Sequence, residues 1–151
     1  MIAQFVPEEV CLKCPGCCRF SNQGTVWSPC LLRQEEESLR EKIKLVPGAK
    51  EDSFICASFN PAQNKCTIYP LRPFECQLYP FLINFKANKV FLAVDLNCPF
   101  VQENAGTQGF GEYVQKLADF FNRPEQRNIL KDNPQIIQAY KEAQDLIELN
   151  I

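Results

Sequence analysis

The chain has 151 residues, 46% hydrophobic and 23% charged, with 16 basic against 18 acidic side chains, 9 cysteines and no histidine. That length favours one domain, and the near-average composition excludes a wholly disordered chain, a collagen-like polymer or a coiled coil. Without histidine there is no Ser-His or Cys-His pair and no His-ligated zinc or haem, and a net charge of -2 offers no basic footprint for nucleic acid.

The opening segment MIAQFVPEEV lacks a basic stretch followed by roughly 7 to 15 apolar residues, which predicts a cytoplasmic chain. The longest apolar runs, FLINF and VFLAV, fall far short of the roughly 20 residues of a membrane-spanning helix, so no membrane is expected. In a reducing compartment, dense cysteines are read as metal-binding or reactive before they are read as a disulfide framework. Their odd number points the same way.

In chain order, Cys11, Cys14, Cys17 and Cys18 come first, as CxxCxxCC within CLKCPGCC, with Pro15 and Gly16 bending the chain inside the motif. Next, LLRQEEESLREKIKLV predicts a surface helix: Leu32, Leu39 and Ile43 share a face, Glu36 and Arg40 stand at i,i+4, and Pro47-Gly48 stops it. The run Glu35-Glu36-Glu37 reads as a solvated helix start and is assigned no chemistry. A short hairpin is predicted to join 54–56 to 65–68 through Asn60-Pro61 and Asn64. A longer one, between 80 and 96, turns at Lys86-Ala87-Asn88-Lys89. GFGEYVQKLADFF then predicts a helix with Tyr113, Leu117 and Phe120 or Phe121 on one stripe, ending at Pro124. Asn133-Pro134 is expected to open a second helix whose apolar edge is Ile136, Tyr140, Ala143 and Ile147.

The cysteine pattern carries the chemistry. A two-residue spacing lets two sulfurs turn onto one metal while the intervening amides face the thiolates. Cys11, Cys14 and Cys17 reproduce the first three ligands of the bacterial ferredoxin run, and Cys98 precedes Pro99 as a remote ferredoxin ligand does. Cys18 breaks that run, because adjacent residues project in different directions and suit different metal atoms. One consistent partition is Cys11, Cys14, Cys17 and Cys98 at a first site, with Cys18, Cys56, Cys66 and Cys76 at a second. The expected fold class is α+β: a small metal-organised, cysteine-rich module of short β-hairpins and packed helices. It is expected as a single domain over 1–151, with a metal-binding core over 1–100 and a helical C-terminal extension over 101–151.

Around the later cysteines, Phe54, Phe59, Phe74, Phe81, Phe85, Phe91, Phe100, Tyr69 and Tyr79 supply either ordinary core or an apolar wall limiting water at a cluster. Arg72, between Pro70 and Pro73, sits on a rigid turn that aims its guanidinium at thiolate ligands, at a backbone carbonyl or into solvent.

CLKCPGCC followed by CTIYPLRPFECQLYPF resembles the YkgJ-type CxxCxxCC cysteine-cluster family, a zinc- or iron-chelating domain, from about Cys11 to Cys98. Carried over residue by residue, the resemblance implies ligand candidates Cys11, Cys14, Cys17, Cys18, Cys56, Cys66, Cys76 and Cys98. Tyr69, Arg72, Pro73 and Tyr79-Pro80 accompany them as motif positions close to the ligands. Cys30, in WSPCLL, lies outside the usual pattern and is either a subgroup ligand or a spare thiol.

The leading expectation is an iron-sulfur protein, with a 4Fe-4S cluster, that moves electrons or serves as a redox subunit of a larger assembly with a protein redox partner. The alternative is a structural zinc module with a protein-interaction surface. No acid-base pair or substrate motif stands out, which disfavours independent catalysis.

Overall fold

In the computed structural model, which describes residues 2–14 and 16–151, the polypeptide divides into two compact units. The N-terminal unit is Val6–Gln77, and the C-terminal unit is Leu78–Ile151 with the residues up to Phe5. Helices and small antiparallel sheets are both present, which makes the fold α+β as the sequence predicts.

The N-terminal unit is built from short pieces: α1 (Glu8–Cys11), β1 (Arg19–Phe20), α2 (Glu36–Ile43), β2 (Leu45–Pro47), β3 (Phe54–Cys56), β4 (Phe59–Asn60), β5 (Lys65–Cys66) and α3 (Phe74–Leu78), whose last residue crosses the division. Helix α2 buries Leu39 and Ile43 and pairs Glu36 with Arg40 on its exposed side, as its periodicity requires. Leu32 is also buried, but in the turn ahead of the helix. Strand β3 is the centre of a three-stranded sheet ordered β1-β3-β2, with Arg19 opposite Ile55 and Leu45 opposite Cys56.

The short hairpin therefore differs from expectation. Its strands are β4 and β5, with Phe59 opposite Cys66, whereas Phe54–Cys56 pairs with the preceding strand β2 and with the more distant β1. Asn64 takes φ 48°, the left-handed turn conformation that asparagine tolerates, and so closes the loop two residues before Cys66. Three-residue strands carry too little local signal to name their partners, so the packing of Cys56 against Leu39 and Ile43 decides.

The C-terminal unit holds the longer elements: β6 (Phe81–Lys86), β7 (Lys89–Val94), α4 (Pro99–Asn104), α5 (Gln108–Phe121), α6 (Pro124–Asp132) and β8 (Gln144–Leu149). Strands β6 and β7 form the predicted hairpin, in register from Phe81 opposite Val94 to Lys86 opposite Lys89. Ala87 and Asn88 both have positive φ, 52° and 59°, the backbone twist that a two-residue hairpin turn needs. Helix α5 opens at Thr107, whose side chain accepts from the Phe110 amide. Its buried stripe is Phe110, Val114, Leu117, Ala118 and Phe121, so Phe121 and not Phe120 faces inward.

Two readings of the C-terminal stretch are corrected. Pro124 starts α6 as its first residue and does not merely end α5, because a proline at that position loses no helical hydrogen bond. The segment with Ile147 is no helix. It is strand β8, adding to β7 with Leu92 opposite Ile147 and a bulge between Leu92 and Ala93 that absorbs one extra residue. Asn84, 2% exposed, secures this strand: its amide donates to Asp145 Oδ1 (2.7 Å) and its carbonyl oxygen accepts the Tyr140 amide (2.8 Å).

The core of this unit is aromatic. The Phe5 ring meets Phe81, Phe100 and Phe110 edge-on at 5.4–6.0 Å, and Tyr113 lies 5.0 Å from Phe5 and 5.2 Å from Phe81. The Tyr113 hydroxyl donates to the Ala3 carbonyl (2.6 Å), and burial pushes its pKa up to about 12 against the opposing pull of the Phe5 amide. The folded chain thus keeps this proton where the unfolded chain releases it. The resulting stability is full below about pH 10 and is lost as pH rises through about 12. Tyr113→Phe is expected to show a shallower fall in unfolding free energy between pH 10 and 12 than the native chain, measured by urea titration at each pH. Parallel curves would refute this assignment.

Candidate metal centre

Helix α1 delivers the first cysteine. The Pro7 carbonyl accepts from the Val10 and Cys11 amides, and the Cys14 amide then donates to the Val10 (3.1 Å) and Cys11 (3.2 Å) carbonyls, winding CxxC into a tight turn. Pro15 lies outside the described residues. Gly16 leaves an ordinary van der Waals gap of 3.5 Å between an added Cβ and the Cys14 sulfur. Cys18 takes φ 70°, a left-handed conformation that costs a side-chain-bearing residue and that persists where surrounding structure holds it. What holds it here is β3: the Cys56 amide donates to the Cys18 carbonyl at 3.1 Å.

Cys18 and Cys56 share an apolar cluster with Leu31, Leu39, Ile43, Phe59, Ile55 and Ile68. Cys66 stands on β5 opposite Phe59, and Cys76 lies within α3. Electrostatics connects all four. Burial pushes the Cys18 thiol up to about 12, with Cys56 and Cys66 adding in the same direction and Arg19 and Arg72 opposing. Cys76 as a residue is partly covered, yet its thiol is desolvated and rises well above the ordinary range, raised further by Cys18, Glu75 and Cys56 and lowered by Arg72. Cys56 is raised by burial and by Cys66, against a hydrogen bond from the Ser58 amide to its sulfur. An amide aimed at sulfur from two residues downstream favours the thiolate, the form that ligates metal.

Arg72 meets a backbone carbonyl, one of the alternatives its turn offered. Its Nε donates to the Tyr69 carbonyl (2.8 Å), its guanidinium carbon lies 3.6 Å from the Tyr69 ring centroid, and its charge acts on Cys18 and Cys76. Burial pushes the Tyr69 hydroxyl up, with Arg72 opposing and Cys11 and Glu8 adding in the same direction.

Three residues given no site role from the sequence hold this arrangement together, among them Glu35, which the sequence places in a solvated helix start and which is instead half-buried and bound to two backbone amides. Glu35 accepts from the Leu32 amide (3.0 Å) with one carboxylate oxygen and from the Phe74 amide (2.8 Å) with the other, anchoring the start of α3. Glu75, 8% exposed, accepts from the Cys30 amide. Asn64 donates to the Leu12 (2.8 Å) and Cys14 (3.2 Å) carbonyls and accepts from Arg19 (3.0 Å). Only Glu75 had a cue in the chain, as an acid directly beside a cysteine in a charge-poor stretch.

Cys98 and Tyr79 belong to the C-terminal unit. Cys98 is buried at the N-cap of α4, ahead of Pro99. The Tyr79 hydroxyl donates to Asp95 Oδ2 (2.8 Å), Asp95 Oδ1 accepts from the Asn97 amide (2.9 Å), and the Cys98 amide donates to the Asp95 carbonyl (3.4 Å). Tyr79 thus shapes the turn that presents Cys98. Phe81 and Phe100 lie in the aromatic core of the same unit, Phe59 packs with Cys56, and Phe85 is 45% exposed.

All nine cysteines are thiols. Among the described residues, no three Cys, Asp or Glu side chains are placed together so that they could hold a metal ion. The donor chemistry of Cys18, Cys56, Cys66 and Cys76 still fits a thiophilic metal. The desolvated sulfurs of Cys18, Cys56 and Cys76 repel one another once ionised, and a bound cation replaces their protons and turns the repulsion into ligation. An all-sulfur set suits zinc or iron.

No helix among the described residues is long and apolar enough to cross a membrane. Neither a curated protein nor a solved structure matches the chain. Residues 10–147 match the family model CxxCxxCC, and on that match the chain belongs to this family, described as a putative zinc- or iron-chelating domain.

Proposed function

We propose that the chain is an iron-sulfur protein in which Cys18, Cys56, Cys66 and Cys76 hold a 4Fe-4S cluster, and that it passes electrons to a protein partner in the cytoplasm. The observation that carries this reading is that Cys18 and Cys56 lie in one apolar cluster and Cys66 stands across the strands from Phe59 of that cluster, while Cys18 and Cys56 both push up the Cys76 thiol. A cluster of this kind supplies reversible one-electron transfer when bound. The chain's own residues set its surroundings. Ser58 offers its amide to the Cys56 sulfur, Arg72 offsets negative charge at Cys18 and Cys76, and Leu39, Ile43 and Phe59 exclude water. Cys11 and Cys14 lie on the α1 turn, and with Cys17 they are candidates for a second thiol group. Cys98 is a further ligand candidate on sequence pattern alone, and Cys30, outside that pattern, is a subgroup ligand or a spare thiol.

One observation favours zinc as the second reading. The strands of the N-terminal unit are two or three residues long, which suits a metal that supplies folding energy outright. Anaerobic purification followed by metal and acid-labile sulfide analysis separates the two. Iron with sulfide, in a brown protein that bleaches with dithionite and recovers on reoxidation, is the expected result. Colourless protein holding zinc after iron-replete expression would overturn the redox reading in favour of the scaffold.

A further inference from the structure

We propose that Asn64 is a positioning residue that sets the Cys11–Cys14 turn for metal capture and ties it to the hairpin carrying Cys66. The inference rests on the metal-binding reading above and adds to it a residue that ligates nothing.

Three hydrogen bonds use every polar group of this side chain. Both amide protons go to carbonyls inside the first half of the motif, Leu12 (2.8 Å) and Cys14 (3.2 Å), fifty or more positions away in sequence. The amide oxygen takes the guanidinium of Arg19, which follows Cys18 directly and lies 4.5 Å from the Phe59 ring centroid. Phe59 is the cross-strand partner of Cys66. One planar group therefore connects the turn of Cys11 and Cys14, the residue after Cys18, and the strand of Cys66. Its backbone at φ 48° sends the side chain out of the hairpin turn toward the motif.

The chemistry makes asparagine specific. Capturing two carbonyls and one guanidinium needs two donors and one acceptor in a single plane, which only a carboxamide offers. Aspartate keeps the size, the turn preference and the Arg19 contact but presents oxygen to the Leu12 and Cys14 carbonyls. Glycine keeps the left-handed backbone and removes the side chain altogether. Partners of this kind around ligands typically carry about 10- to 100-fold in metal affinity.

The test compares full-length native protein, Asn64→Asp and Asn64→Gly, reduced and loaded anaerobically with cobalt(II). Sulfur-to-cobalt charge-transfer absorption is read in parallel with alkylation rates at each cysteine by mass spectrometry. In both variants Cys14 is expected to alkylate about 10- to 100-fold faster than in native protein, with reduced charge-transfer intensity. Protection of Cys76 and the thermal midpoint should stay unchanged. Native-like protection of Cys14 in Asn64→Asp would overturn the proposal, as would joint loss at Cys14 and Cys76 with a lowered midpoint, the mark of a general folding defect. Absence of metal-dependent protection in the native chain would instead overturn the metal-binding reading, and this inference with it.

Discussion

Stripping metal with a chelator under reducing conditions is expected to unfold Val6–Gln77 while Leu78–Ile151 stays folded. The apolar core of the N-terminal unit is a small cluster of Leu31, Leu39, Ile43, Cys56 and Phe59, and two of the surrounding groups, Cys18 and Cys56, are themselves candidate ligands. Its strands span two or three residues each, too short to stand alone. Structural metal binding by thiolates contributes on the order of 10 kcal/mol, as much as the whole stability of a typical domain. Removing it returns the sulfurs to neutral thiols, and the small apolar cluster alone does not offset the chain entropy. The C-terminal unit has six-residue strands, a 14-residue helix and a continuous aromatic core, and depends on no such term. Hydrogen exchange read by mass spectrometry tests the difference. Amides of β3, β4 and β5 should exchange at the unfolded rate after chelation, while those of β6, β7 and α5 remain protected. Protection retained throughout β3–β5 in demetallated protein would contradict this account.

Phe81→Ala should have the complementary effect. Phe81 is fully buried, in contact with the rings of Phe5, Phe110 and Tyr113, and opens β6, where it pairs with Val94 of the central strand. Truncating such a phenylalanine removes its transfer energy and leaves a cavity, at a cost of about 3 to 5 kcal/mol. The expected outcome is a urea midpoint for the C-terminal unit lowered accordingly, with metal content and thiol protection in Val6–Gln77 unchanged. Phe85→Ala, four residues on in the same strand and 45% exposed, is the control, with a cost within about 0.5 kcal/mol. Equal effects at the two positions would mean that the aromatic core does not carry this unit.

The elements legible in advance were those whose information is local. Helix α2 follows from the spacing of Leu39 and Ile43, α5 from its long apolar stripe, and the β6–β7 hairpin from two hydrophobic runs flanking a turn of four residues. The last strand was not legible. Ile136, Tyr140, Ala143 and Ile147 satisfy a helical period, yet 144–149 has an exposed edge of β7 to pair with and Asn84 to hold the approach, and sheet pairing prevails. In the same way Phe54–Cys56 reads as the first half of a hairpin with 65–68 but sits between two strands that both precede it in sequence.

The thiol chemistry was written in the chain, because CxxCxxCC concentrates four soft donors within eight residues and no histidine competes for the role. Spacing alone, however, does not say which distant sulfurs meet. That Cys18 lies with Cys56, Cys66 and Cys76, that Arg72 turns its charge on two of them, and that Asn64, Glu35 and Glu75 hold the loops in place are matters of tertiary packing. Composition and spacing report what each short segment is able to do. Partners dozens of residues apart are chosen by burial and by the demand of every buried polar group for a mate, which no window of sequence contains.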